Sequence, residues 1–411
     1  MRPPHHLRLL PLTLLAPLTL APAPPPTDPT PAPAAPRAAL HRTAGRAVPG
    51  HYIVTLRQGT SPRALTARLG VTPDTVYQHA LLGFAAPLTP GQLDAVRRSP
   101  DVRSVEEDAV LRQSSVPVRP STPVRDSAGP AASWGLDRVD QRRLPLDGRF
   151  AVTGTGAGVT AYVVDTGIDY RHPEFGGRAR EGVDLVDPNG HGSDCLTGSG
   201  HGTHVAGIIG GGEHGIARKV TLVSVRVLDC EGTTSASRFV AGLDWVAQHA
   251  GPASVLNASL NGPYSAATNA SVAAVADRGV PPVVSAGNAQ PSTAATDACA
   301  NSPGSAPGAV VVGATDRDDR MTSFSDWGSC LRLLAPGLDI VSARAGGGTA
   351  TKSGTSQAAP HVTGVAALYK AAHPDASVRT VTEWLEKQAT QGVLSGLRER
   401  TPDRLLNTGG L

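Results

Sequence analysis

A serine between a Gly-Thr pair and a run of small residues is the first candidate for chemistry in this sequence. Residues 353–361 read Ser-Gly-Thr-Ser-Gln-Ala-Ala-Pro-His, and an apolar helical pattern follows at 362–373. A tight turn before that helix would aim the Ser356 hydroxyl outward, beside its own backbone N–H and the positive end of the helix. Because Gly-Thr-Ser is also typical of a plain helix cap, Ser356 is a candidate nucleophile that needs partners.

Two further stretches supply those partners. Asp165 follows an apolar run that predicts a buried strand, and His201 lies in Gly-His-Gly-Thr-His at the start of an apolar helix. A neutral serine attacks a carbonyl poorly unless an imidazole accepts its proton, and that imidazole needs a carboxylate to hold its tautomer. Asp165, His201 and Ser356 therefore predict an acyl-transfer triad.

The elements around these residues predict an α/β fold. From residue 134 onward, apolar runs alternate with helical patterns, with strands at 159–164, 220–227, 255–260, 280–286 and 309–314 and helices at 203–210, 235–249 and 269–279. This alternation is typical of a parallel sheet with helices on both faces, in which active sites lie at the carboxyl ends of strands. Asp165 falls at such an end.

Residues 51–113 predict a separate, small α+β domain. Strand patterns at 52–56, 76–88 and 102–111 alternate with helical patterns at 62–69 and 90–98, and Gly83 interrupts the second strand region. This order of elements is typical of a split β-α-β domain.

The remaining segments predict export. Residues 1–23 combine two arginines with an apolar core and an Ala-Pro-Ala end, as a signal peptide does. The Pro-rich stretch 24–50 predicts an extended tether, 114–132 an exposed linker, and 133–411 the large domain. The four cysteines fit an oxidising compartment, and sequence alone leaves three pairings open. A formal net charge of +3 on 411 residues is too small to argue for nucleic acid or a membrane surface as partner, and neither is expected.

The chain order Asp, His, Ser and the three stretches that carry it resemble the subtilase family of serine proteases. Trp-Gly-Leu-Asp-Arg-Val-Asp-Gln at 134–141 and Val-Leu-Asp-Cys at 227–230 are similar to the branch of proteinase K and aqualysin. The resemblance implies a subtilisin-like, secreted serine endopeptidase that forms an acyl-enzyme and is made as an autoprocessed preproprotein. It implies that 51–113 is an inhibitory propeptide, with the maturation bond in or just before 114–132, and that substrates are proteins or peptides. A monomer is the default expectation.

The same resemblance assigns further residues. It implies that Asn288 joins the Ser356 N–H in holding the oxyanion, a role that donors aimed at developing charge perform. It also implies disulfides joining Cys195 to Cys230 and Cys299 to Cys330. The substrate strand is expected between two edges, formed by Gly232, Thr233 and Thr234 and by Ser259, Leu260 and Asn261.

Four residues depart from the family pattern, one of which is Gln357, which follows Ser356 where methionine is usual. Thr234 and Asn261 stand where glycine is usual, which predicts a narrow S1 pocket for small or medium P1 residues. Arg332 stands where a calcium-ligating aspartate is usual, and a guanidinium cannot ligate calcium. No cofactor is expected for the chemistry, and structural calcium is expected, if at all, away from Arg332.

Other histidines leave alternatives open. His204 would share a helical face with His201, as a metal-dependent hydrolase requires, although the family pattern makes His201 the base and packs His204 behind it. His191 belongs to an inserted loop at 187–200 that is expected near the site entrance. A further rival is a catalytically dead subtilase fold that acts as a secreted binding module.

Overall fold

The computed structural model describes residues 37–116, 131–289 and 293–411. The predicted signal at 1–23 and most of the predicted linker at 114–132 lie outside this range. Residues Arg37–Leu411 form one unit. Within the described residues, no helix has both the length and the apolar character needed to cross a membrane.

The N-terminal domain is a sheet covered by two helices. Its elements are β1 (Ala39–His41), β2 (Ala47–Leu56), α1 (Pro62–Leu69), β3 (Thr75–Tyr77), β4 (Gly83–Pro87), α2 (Pro90–Arg98) and β5 (Val102–Gln113). Strand β5 pairs with β2 in antiparallel and with β1 in parallel orientation. On its other side β2 pairs with β4, which pairs with β3. Leu65 of α1 and Val96 of α2 pack on Val54 and Phe84 of the sheet. The predicted small α+β domain is confirmed.

The predicted tether at 24–50 is wrong in its last part. Residues 39–41 form β1, and β2 begins at Ala47, which pairs with Ala109 of β5. Pro49 and Gly50 lie where the register of this pair shifts, and Gly50 has a positive φ of 69°. Proline and glycine occur both in irregular strands and in extended tethers, so composition alone did not distinguish a strand from a tether here.

In its described residues the large domain has twelve strands, and seven of them form one parallel sheet. Its strands are β6 (Thr160–Asp165), β7 (Ala179–Asp184), β8 (Thr221–Arg226), β9 (Thr233–Ser235), β10 (Ser254–Ala258), β11 (Leu260–Pro263), β12 (Pro282–Ser285), β13 (Asn301–Ser302), β14 (Val310–Thr315), β15 (Leu331–Pro336), β16 (Ile340–Ala343) and β17 (Thr349–Lys352). The parallel sheet has the order β15-β14-β12-β10-β6-β8-β7. The predicted parallel sheet is confirmed.

In the described part of this domain, six helices cover the sheet. They are α3 (Trp134–Asp140), α4 (His201–Gly210), α5 (Ala236–His249), α6 (Ala266–Asp277), α7 (Thr355–Ala372) and α8 (Val378–Gln388). Residues of α4, α7 and α8 share one buried apolar cluster, whereas residues of α5 and α6 share another. The two clusters occupy opposite faces, because alternate residues of β6 point into each.

The helix predicted at 362–373 begins earlier, at Thr355, so Ser356 lies in its first turn. Pro360 lies inside this helix and has no N–H to donate to the carbonyl of Ser356. The hydroxyl of Ser259 donates to that carbonyl instead, at 3.0 Å. A side chain from β10–β11 thus replaces the missing helix bond, which a sequence pattern cannot reveal.

Candidate active site

The end of β6 and the start of α4 bring a carboxylate and an imidazole together. Asp165 is the last residue of β6, His201 is the first of α4, and both side chains are fully buried. His201 Nδ1 lies 2.7 Å from Asp165 Oδ1, which also accepts the Thr166 N–H at 2.7 Å. Since a carboxylate oxygen only accepts, His201 carries a proton on Nδ1 and its Nε2 faces away.

The hydroxyl of Ser356, the expected partner of His201, is bonded elsewhere in this structure. Its Oγ donates to the carbonyl of Ser259 at 2.9 Å, and Nε2 of His201 is buried without a hydrogen-bond partner among the described residues. A buried, unpartnered ring nitrogen is a ready acceptor for a hydroxyl proton. Rotation of the Ser356 side chain is the change that would supply it.

A buried carboxylate that the sequence did not single out supports this pair. Asp194 accepts the hydroxyl of Thr166 at 2.7 Å, and it accepts the N–H and hydroxyl of Thr203 at 2.8 and 2.6 Å. Thr166 in turn accepts the N–H of Gly202 at 2.8 Å. Burial raises the pKa of Asp194. These bonds fix the first turn of α4, and a loop carboxylate gives no pattern from which to predict them.

The second histidine of the motif faces the core. His204 Nε2 lies 3.1 and 3.0 Å from the carbonyl oxygens of Ile340 and Ala350, so that nitrogen donates. Burial lowers the pKa of His204 well below its ordinary value. In the described parts of the chain, His201 and His204 do not belong to any group of three side chains with metal-ligand spacing.

The propeptide strand β5 runs into the cleft between β9 and β11. Val110, Leu111 and Arg112 pair with Ser235, Thr234 and Thr233 on one side, and Arg112 and Gln113 pair with Asn261 and Leu260 on the other. The Gln113 N–H donates to the carbonyl of Gly232 at 2.9 Å, and the Ser114 N–H donates to that of Ser259 at 3.0 Å. All six residues expected on the substrate edges therefore border this one strand.

The carbonyl of Ser114 lies between two donors. The Ser356 N–H donates to it at 3.0 Å, and the side-chain amide of Asn288 also donates to it. Asn288 is oriented because its Oδ1 accepts both the N–H and the hydroxyl of Thr355, each at 3.0 Å. A peptide carbonyl held by two N–H groups next to a serine is the geometry of an oxyanion hole.

Polar groups surround the Ser114 side chain. Its hydroxyl lies 2.9 Å from Ser285 Oγ and 3.4 Å from Asn261 Oδ1. The side-chain amide of Asn261 fills the space next to Gly287, because a Cβ built on Gly287 would lie 2.1 Å from Asn261 Nδ2. Thr234 pairs with Leu111, further up the strand, and does not border Ser114. The predicted narrowing of S1 therefore rests on Asn261 alone.

Both implied disulfides are present, and one of them anchors the inserted loop. Cys195 is bonded to Cys230, and Cys299 to Cys330. The first bridge lies in the loop at 187–200 that leads to His201. His191 of this loop is exposed, and its Nδ1 lies 3.3 Å from Glu181.

Arg332 lies in a cluster of charged side chains. Its guanidinium is 3.5 Å from Glu386 Oε1, and the guanidinium of Arg404 is 3.3 Å from Oε2 of the same carboxylate. Two guanidinium groups thus share the carboxylate of Glu386, and a guanidinium offers calcium no oxygen ligand.

Together, an aspartate-supported imidazole, a serine and two N–H donors on a bound peptide carbonyl define a serine peptidase site. Comparison with known proteins gives the same class. Residues 156–406 match the subtilase family, and residues 51–114 match the peptidase inhibitor I9 family. The chain belongs to the subtilase family and is a serine endopeptidase that carries an I9 propeptide.

Several relatives support this assignment. The chain is 42% identical to an extracellular serine proteinase of Thermus sp. (strain Rt41A), over 89% of this chain and 91% of that protein. The crystal structure of a cold adapted subtilisin-like serine proteinase is 46% identical, with a TM-score of 0.64 over 68% of this chain and 98% of that chain. Fervidolysin from Fervidobacterium pennivorans, at 22% identity and a TM-score of 0.73 over 91% of this chain and 63% of that chain, shares the fold.

Proposed function

We propose that this endopeptidase matures by cleaving its own Ser114–Ser115 bond, with Asp165, His201 and Ser356 as its triad. One observation carries the proposal: the Ser114 carbonyl accepts from the Ser356 N–H at 3.0 Å at the end of a strand held on both sides. The same strand arrangement would hold other protein substrates, since main-chain hydrogen bonds do not depend on side chains.

The first half of the reaction begins with rotation of the Ser356 hydroxyl from the carbonyl of Ser259 to Nε2 of His201. His201 takes the proton as Ser356 Oγ attacks the Ser114 carbonyl carbon, and Asp165 stabilises the imidazolium. Charge that develops on the carbonyl oxygen is stabilised by the Ser356 N–H and by the Asn288 amide, which already point at it.

The second half releases the two products. His201 donates its proton to the nitrogen of Ser115 as the C–N bond breaks, which leaves Ser114 as an ester on Ser356. A water molecule that loses a proton to His201 then attacks the ester, and His201 returns that proton to Ser356 Oγ as the ester C–O bond breaks. The propeptide ends at Ser114 and still lies in the cleft as a bound product.

Mass spectrometry of the secreted protein, after incubation with a fluorophosphonate probe, tests the proposal. We expect a chain that begins at Ser115 with the probe on Ser356, whereas the Ser356→Ala variant should stay uncleaved and unlabelled. A chain that begins elsewhere would contradict the assigned bond. Correctly cleaved wild-type chain without label would favour the alternative, a catalytically dead binding module.

Export of the enzyme is part of the proposal. Its support is the similarity to a proteinase whose name calls it extracellular and the pairing of all four cysteines in disulfides. Expression with and without residues 1–23 tests export, because only the full sequence should place Ser356-labelled enzyme in the medium. A truncated chain that reaches the medium equally well would contradict a signal role for 1–23.

The S1 pocket is proposed to favour small P1 residues because the Asn261 amide and Ser285 hydroxyl lie against the Ser114 side chain. Peptides that differ only in P1 should be cleaved faster with Ser or Ala than with Phe. Asn261→Gly should raise kcat/KM for P1 Phe by about tenfold, since it removes the group that fills the pocket. A strong wild-type preference for Phe would contradict the proposal.

Calcium is not required for the proposed chemistry, and no calcium site is proposed at Arg332. The two guanidinium groups that share Glu386 repel a divalent cation, and arginine offers it no oxygen. Crystals grown with calcium should show no ion beside Arg332. An ion refined there with oxygen ligands at about 2.3–2.6 Å would contradict this expectation.

A further inference from the structure

We infer that Ser199, in the inserted loop at 187–200, selects substrates whose P2 side chain ends in a carbonyl oxygen, as glutamine does. The inference rests on the proposed cleavage at Ser114, which makes Gln113 the P2 residue. Ser199 Oγ donates to Gln113 Oε1 at 2.6 Å. Within the described residues, this is the hydrogen bond that a peptidase side chain gives to the P2 side chain.

The backbone of Ser199 is held on both sides, which limits the positions that its hydroxyl can reach. Its N–H donates to the carbonyl of Cys230 at 2.8 Å, and its own carbonyl accepts from the ammonium of Lys352. Cys230 is bonded to Cys195, which ties the loop to the strand region that follows β8. A hydroxyl held in this way can form its bond to substrate at little cost in conformational entropy.

The P2 side chain passes through a space that only glycine leaves open. Gly232 has a φ of 75°, and a Cβ built on it would lie 2.3 Å from Gln113 Oε1 and 2.7 Å from Gln113 Cγ. The glutamine therefore lies directly over Gly232, with its amide oxygen turned to Ser199. A shorter side chain would not reach the hydroxyl, and an apolar one of equal length would leave it without this acceptor.

The charge behind the loop favours the same acceptor. Lys352 is partly buried and donates to the Ser199 carbonyl, so a positive charge lies next to this peptide group. Burial lowers the pKa of Lys352, and the carboxylates of Asp194 and Asp165 oppose that shift. A cation next to the Ser199 peptide group strengthens donation towards an oxygen on substrate.

Heptapeptides built on residues 110–116, Val-Leu-Arg-X-Ser-Ser-Val, test this inference with the mature enzyme. Methionine at X matches the length of glutamine and lacks its carbonyl. We expect kcat/KM to be about fivefold to tenfold higher for Gln than for Met, which is the range that one hydrogen bond supplies. Ser199→Ala should bring the ratio close to one by slowing cleavage of the Gln peptide alone.

Two variants separate recognition from a general disturbance of the loop. Ser199→Thr keeps the hydroxyl and should restore part of the Gln preference, while Ser193→Ala, at an exposed serine of the same loop, should leave it unchanged. Equal wild-type rates for Gln and Met, or an equal loss with both peptides in Ser199→Ala, would overturn the inference alone. Cleavage of none of the peptides by wild-type enzyme would overturn the proposed function as well.

Discussion

The propeptide contacts the peptidase in two regions that use different chemistry. The cleft contacts, formed by residues 110–114, consist of main-chain pairing with β9 and β11 and of the two donors on the Ser114 carbonyl. The helix contacts, formed by carboxylates, lie at the starts of α5 and α6 and on the side of α5. The cleft contacts depend little on sequence, whereas each helix contact depends on one acidic side chain.

Two propeptide carboxylates meet helix N-termini. Asp108 accepts the N–H and the hydroxyl of Ser237 at 2.9 and 2.6 Å, at the start of α5. Glu106 accepts the hydroxyl of Ser265 and the N–H of Ala267, both at 2.9 Å, at the start of α6. The unpaired N–H groups and partial positive charge of a helix start favour such anions.

In the third helix contact the carboxylate belongs to the peptidase and the donors belong to the propeptide. Asp244 of α5 accepts four successive propeptide N–H groups, those of residues 78–81, at 2.7 to 3.4 Å. A substrate peptide in the cleft would not reach any of the three carboxylate contacts. The difference teaches that the main-chain contacts of the cleft are open to any peptide that binds there, whereas the helix contacts belong to the propeptide and would favour its retention after the proposed cleavage.

Removal of a cleft donor should give the largest effect and should act on chemistry alone. Asn288→Ala takes away one of two oxyanion donors, so we expect turnover of peptides to fall about a hundredfold to a thousandfold. Self-cleavage should slow in proportion, measured as loss of precursor over time. Thermal unfolding of the variant is the control, because Asn288 also accepts from Thr355. Normal turnover in the folded variant would remove Asn288 from the oxyanion hole.

Removal of a helix contact should weaken propeptide binding and leave the chemistry unchanged. Asp244→Asn keeps the shape but loses the charge that four N–H groups share, so release of the cleaved propeptide should accelerate about tenfold to a hundredfold. Turnover of short peptides should stay unchanged once the propeptide is gone. Asp277→Asn, at an exposed position on α6, is the matched control. Slower peptide turnover in Asp244→Asn would mean that the two regions are not separable.

The two regions also differ in how far the sequence predicts them. The triad residues and the sheet follow from local patterns, since apolar runs, glycines and motif order lie within short stretches, and the resemblance to the subtilase family adds the substrate edges. The partners of Asp108 and Asp244 are distant in the sequence. Asp108 and Ser237 are 129 positions apart, and Asp244 and Ala80 are 164 positions apart. No local pattern marks an acidic residue as the partner of a distant helix start.

Two smaller differences between prediction and structure also arise from contacts between residues that are distant in the sequence. Helix α7 starts earlier than the apolar pattern at 362–373 predicts, and the hydroxyl of Ser259 that makes Pro360 acceptable within it comes from the connection between β10 and β11. Ser199 gave no signal for a comparable reason. Its function depends on Lys352 and on Cys230, which come together only in the folded chain.

The smallest expected effect concerns pH at a helix contact. His51 Nε2 lies 2.7 Å from Asp74 Oδ2, and its Nδ1 lies 3.0 Å from Asp108 Oδ2, without the alignment of a hydrogen bond. Burial lowers the pKa of His51, but its contacts with Asp108 and Asp74 outweigh burial and leave the pKa raised above 6.5. The folded propeptide therefore binds a proton more tightly than the unfolded one.

A raised histidine pKa stabilises the folded state at low pH. The contribution is fully present below pH 6.5, the ordinary value, and is lost as pH rises through the raised pKa of His51. In the uncleaved Ser356→Ala precursor, His51→Gln should lower the unfolding temperature at about pH 5.5 by about 2 °C and have little effect at about pH 8.5. Equal losses at both pH values would show that His51 acts by packing, and that the Asp108 contact holds its helix without a protonated neighbour.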